Sequence, residues 1–96
     1  MVVGICKLKL YAPWVHSLKE KRMIIRSLVG KVRSKFSISI IEVEEMDIHQ
    51  TVILGMSVVT NEVKLADTLL DQIISYIEEN TEADLLDIDR EMITDF

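Results

Sequence analysis

The segment Ser17–Phe36, SLKEKRMIIRSLVGKVRSKF, constrains the chain more than any other. Ser17 with Glu20 three residues on is a capping-box pattern, in which each side chain satisfies a free backbone N–H at a helix start. Pro13 disfavours an earlier start. At roughly 100° per residue, Leu18, Ile25, Leu28, Val29, Val32 and Phe36 share one face, so that face must find a core. Lys19, Arg22, Arg26 and Arg33 lie beside this apolar stripe, and Lys21 lies toward its other flank. Gly30 falls within the basic strip and costs the helix roughly 1 kcal/mol relative to alanine. A ligand approaching the backbone closely at that point would account for it.

What surrounds the helix sets its partners. Val2–Ala12 alternates, with Gly4, Cys6, Leu8 and Leu10 on the expected core parity. Ser37–Glu45 is a second strand whose apolar parity slips between Ile40 and Ile41, as a bulge or a strand covered on both faces would produce. Met46–Gln50 is a polar connection. Thr51–Thr60 is apolar on both parities, the pattern of a central strand or of one whose second face meets another chain. Asn61 is the expected N-cap of a second helix, Glu62–Asn80, with Leu65, Leu69, Leu70, Ile73, Ile74 and Ile77 inward and Asp67, Asp71 and Glu78 outward. Leu85–Glu91 is a short last strand.

The order β-α-β-β-α-β is that of a ferredoxin-like α+β sandwich. It predicts a four-stranded antiparallel sheet, strand order 4-1-3-2, with both helices on one face. Residues 1–96 then form one domain with one modest core. In this topology Asp87 and Asp89 of the last strand lie beside Lys7 and Lys9 of the first, giving those lysines a structural role.

Charge is divided unevenly. Up to Phe36 there are nine bases against one acid; beyond it there are two bases and 15 acids, for a net charge of −5. A basic first half suggests a side that faces a polyanion, or two halves that attract each other. No apolar run reaches the roughly 18 residues of a spanning helix, and VVGICKLKL is broken by lysines, unlike a signal sequence. The single cysteine, Cys6, fits a reducing, cytoplasmic setting.

SLKEKR after the first strand and Pro13, followed by Ile41-Glu42-Val43-Glu44, Leu54-Gly55, Val58-Val59-Thr60-Asn61 and Leu85-Leu86-Asp87, resembles the YlxP-like family of small bacterial domains. The resemblance runs nearly end to end. It implies a ferredoxin-like fold, and through the genes that neighbour family members it implies an RNA or ribosomal context. It brings no activity with it. Ile48-His49-Gln50 departs from the aromatic residue expected near His49.

The residues themselves permit several chemistries. Lys19, Lys21, Arg22, Arg26 and Arg33 can contact phosphates, which gives salt-dependent binding with little sequence preference. Base stacking on the sheet, as in RNA-recognition domains of the same topology, lacks its aromatics here. Glu44, Glu45, Asp47 and His49 match no metal-ligand spacing, so neither metal nor cofactor is expected. Cys6, His16 and His49 are the only nucleophile and base candidates, and a pocket formed by His16, Trp14 and Tyr11 would be needed to revive catalysis. The uncovered sheet face presents Ile53 and Val59 with Ile41 and Val43, a patch that a homo-oligomer would bury.

The reading is therefore a non-enzymatic binding module on RNA or a ribosomal particle. The alternative is a homo-oligomeric module that holds an acidic protein partner. No membrane or small-molecule substrate is expected.

Overall fold

A computed structural model describes all 96 residues. The elements are β1 (Val2–Tyr11), α1 (Leu18–Lys35), β2 (Ser39–Glu44), β3 (Thr51–Thr60), α2 (Val63–Glu79) and β4 (Asp84–Ile93). They form one antiparallel sheet of order β2-β3-β1-β4, which is the expected order read from its other edge. Thr51–Thr60 is a strand over its full predicted length and is central, one of the two outcomes its two-sided apolar pattern allowed.

Alternation places Gly4, Cys6, Leu8 and Leu10 beneath the helices, facing Val58, Met56, Leu54 and Val52 across the β1–β3 ladder. The core closes on these with Leu28, Val29 and Val32 of α1 and Leu70, Ile73, Ile74 and Ile77 of α2. Helix α1 starts as its sequence demands: Ser17 Oγ accepts from Glu20 N at 3.1 Å. The reciprocal bond is displaced by one residue, since Glu20 Oε2 accepts from His16 N at 3.4 Å.

Three expectations change. The cap of α2 is Glu62, not Asn61, and it makes no side-chain capping bond. Ala66 is buried where Leu65 was expected, because the helix is turned slightly about its axis. Strand β4 runs ten residues, beyond the short segment read from alternation. A register shift between Lys9 and Leu10 absorbs Leu86, and this bulge masks the period-two pattern. Strand β2 also carries a bulge, but beyond the slip expected between Ile40 and Ile41: pairing is regular from Ile40 through Glu42, and Ile41 lies on the open face opposite Gly55. Glu42 faces Leu54 and Glu44 faces Ile53, so Val43 is the extra residue. Ile40 and Glu42 therefore point toward the helices, while Ile41, Val43 and Glu44 belong to the open face.

Candidate nucleic-acid interface

Two flanks of α1 meet different surroundings. Lys35 Nζ lies 4.6 Å from the Tyr76 ring centroid, so its flank faces α2. Arg33 Nη2 donates to Ile40 O of β2 at 2.7 Å, so the opposite flank overhangs the β2 edge. Lys19, Arg22 and Arg26 follow Arg33 on this second flank, over about 21 Å of helix. All four are exposed, and none is among the five ion pairs of the molecule. Gly30 lies between Arg26 and Arg33 in sequence and on the same strip. A Cβ built there would meet nothing within 4 Å, so no internal packing calls for glycine.

Lys21 does not belong with these residues. It is 1% exposed, with Nζ 2.9 Å from Glu42 Oε2 and donating to Glu45 O at 2.8 Å and Ile48 O at 2.7 Å. Glu42 Oε2 is buried without a hydrogen-bond partner, and its compensation is this ammonium. The expected phosphate contact from Lys21 is therefore withdrawn. Its place close to the apolar face drives the stem inward, and regular pairing of β2 with β3 sets Glu42 on the same side as Ile40 to meet it. The polar connection is thus structural, since its carbonyls wrap one ammonium. Glu45 adopts φ 53° within that wrap.

The remaining cations find other partners. Lys7 and Lys9 lie opposite Asp89 and Asp87 in the register, as expected. Their ion pairs nevertheless go to Glu44 at 3.2 Å and Glu45 at 3.6 Å, because the small Gly55 lets Lys7 reach across β3. Glu44 and Glu45 are thereby committed to lysines. Arg90, which sequence reasoning passed over, points to the helix side and pairs with Asp67 and Asp71 of α2. Those two aspartates do not simply face away. Their spacing of four residues on one helix was the available signal.

Of the expected interface residues, Val59 and Ile41 are well exposed and Val43 is 36% exposed. Ile53 is not: it is 5% exposed, lying in the sheet row between Glu44 and Lys9. Its place in an oligomer patch is withdrawn for that reason. Cys6 is buried on the core face, and burial pushes its thiol above the ordinary value of 9.0, with Arg90 opposing and Asp89 adding to the rise. Trp14 lines a depression with Met23, Ser27 and Asn80, to which neither His16 nor Tyr11 contributes. No helix is long and apolar enough to cross a membrane.

A β-α-β-β-α-β chain with both helices over one face of a four-stranded antiparallel sheet is a ferredoxin-like α+β domain. Its fold resembles that of the de novo designed protein LFR1 1 with ferredoxin fold, solved by solution NMR (TM-score 0.65, 17% identity, 99% of this chain and 88% of that one). The designed protein Foldit4 is more distant in shape (TM-score 0.51, 12% identity, 99% and 98% covered). The chain belongs to the family described as "Protein of unknown function (DUF503)", whose profile matches residues 3–90. It is 29% identical over 62 residues to "Uncharacterized protein YlxP" of Bacillus subtilis (strain 168), covering 65% of this chain and 67% of that one.

Proposed function

We propose that the chain is a non-enzymatic polyanion-binding module that docks on RNA, or on a ribosomal particle through its RNA, by the β2-side flank of α1. One observation carries this reading: Lys19, Arg22, Arg26 and Arg33 are exposed, and no carboxylate of the acidic half pairs with them. The acidic half does pair with the basic half at Lys7, Lys9 and Lys21, through Glu44, Glu45 and Glu42, and it leaves this strip without a carboxylate. The acidic helix α2 is on the other flank. Helix axes pack about 8–10 Å apart, and the strip stands a further half-diameter or more beyond α1's axis. Repulsion from α2 is then screened over more than the roughly 8 Å Debye length of physiological salt.

Contacts of this kind position a phosphate backbone and read little sequence. Binding to unrelated single-stranded RNAs should therefore be similar and should weaken steeply between about 50 and 200 mM salt. Arg22→Ala with Arg26→Ala should lower the salt slope by about 1.4, the contribution of two phosphate contacts on a single strand. Lys64→Ala on α2 should leave it unchanged. Binding that ignores the arginine pair would overturn the reading. Retention of an acidic protein but not RNA on the same arginines would favour a protein-interaction module instead. Co-sedimentation with ribosomal subunits at low and high salt extends the test to the particle.

A further inference from the structure

The open face of the sheet, opposite the helix layer, holds a trough of about 480 Å³, a volume typical of ligand sites. Gly55 and Ser57 of β3 and Ile5 of β1 form its floor, and the two small residues on a central strand create the hollow. One wall is apolar, formed by Ile41, 56% exposed, and Val43, both on edge strand β2. The other wall is Asp89 and Glu91 on edge strand β4. These carboxylates are exposed and belong to no ion pair. Two cations also line the trough, Lys7 opposite Asp89 in the register and Arg90, and both have other partners: Lys7 pairs with Glu44, and Arg90 with Asp67 and Asp71.

We infer that this trough docks an extended segment of a partner protein carrying an aliphatic side chain and, two residues on, a lysine or arginine. Three inter-strand spacings separate β2 from β4 by about 14 Å. Residues i and i+2 of an extended segment point the same way, about 7 Å apart. An aliphatic group packed on Ile41 and Val43 therefore leaves the next downward side chain to reach Asp89 and Glu91. The charge of the far wall sets the partner's sign. A second copy stacked with its β4 over this β4 would instead bring together two sets of Asp84, Asp87, Asp89 and Glu91, none of them in an ion pair. Of the chain's own basic strip, Arg33 alone comes near this face, at a depression it lines with Ser39, Ser57 and Val59, and its Nη2 is held by Ile40 O.

The test uses the full chain and a fluorescein-labelled heptapeptide with leucine and arginine two residues apart, read by fluorescence anisotropy. Asp89→Asn with Glu91→Gln should raise Kd about tenfold or more, and so should Ile41→Ser or, as a second variant of the apolar wall, Val43→Thr. Glu78→Gln with Glu79→Gln, an equal charge change on α2, should alter Kd by less than about twofold. Peptides with glutamate for arginine, or glycine for leucine, should bind about tenfold more weakly. Saturating single-stranded RNA should not displace the peptide, because α1 lies on the other layer. The inference fails if wild type shows no binding, if both charge variants lose affinity alike, or if the leucine is dispensable. A molecular mass that grows with concentration and is abolished by Ile41→Ser would also overturn it, in favour of a second copy. None of these outcomes bears on the RNA reading.

Discussion

Lys21 Nζ lies 2.9 Å from Glu42 Oε2, so a lysine from the helix and a glutamate from the edge strand form one buried ion pair. The carbonyls of Glu45 and Ile48 complete its acceptors. The first turn of α1, strand β2 and the β2–β3 connection are thereby held at one point. Removing the lysine leaves a carboxylate and two carbonyls without a partner. Lys21→Ala is expected to cost about 3–5 kcal/mol, measured by urea denaturation. Glu42→Gln leaves the ammonium its two carbonyls and is expected to cost less, about 1–2 kcal/mol. Equal losses would mean that the carbonyls contribute little.

Gly30 makes a prediction of opposite signs. Its added Cβ meets nothing, so Gly30→Ala should stabilise the folded chain by roughly 0.5–1 kcal/mol through helix propensity alone. If phosphates approach the helix at this point, the same methyl group should weaken RNA binding. A more stable protein with weaker binding is the expected pair of results, read by thermal melts and anisotropy. Unchanged affinity would move the contact away from Gly30 without removing the arginines from it.

Gly55 is constrained in the other direction. A Cβ there would sit 2.7 Å from Val43 Cγ1, a contact that requires the bulged residue to move. Gly55→Ala is expected to destabilise by about 1–3 kcal/mol, as overpacking does. Amide exchange in β2 should rise along with it, since Val43 sits at the only bulge of that edge strand.

Cys6 sets an alkaline limit. Its folded thiol titrates above the ordinary 9.0 because burial disfavours the thiolate. Below that pH both states keep the proton, and the group contributes no pH dependence. Above it the unfolded chain releases its proton while the folded chain retains it, so stability falls as pH rises until the folded value is passed. The stability of wild type relative to Cys6→Ala should be constant near neutrality and should drop above pH 9.0 in urea titrations. Alkylation of the native thiol should be slow, limited by opening of the fold.

Periodicity with cap and proline signals determined the element order and most of the core of this protein, and the handedness of crossovers then gave the sheet topology. A strand or amphipathic helix must bury its apolar parity, and few arrangements of these six do so. The Ser17 cap follows from local chemistry and so could be read directly. The two-sided apolar pattern of Thr51–Thr60 left two outcomes open, of which the fold shows the central strand. Tertiary structure decided which charges remain free. Lys21 and Arg22 are neighbours in a run of bases, yet one is sealed against Glu42 and the other faces water. That difference depends on the register of β2 against β3, a pairing well removed along the chain, which sets Glu42 on the helix side opposite Leu54. It depends equally on a hairpin connection whose carbonyls close over the ammonium. Likewise Ile53, apolar and on the open parity, is hidden because Glu44 and Lys9 flank it in the folded sheet. Pairing between distant residues follows register and bulges, and a linear pattern of charge contains neither.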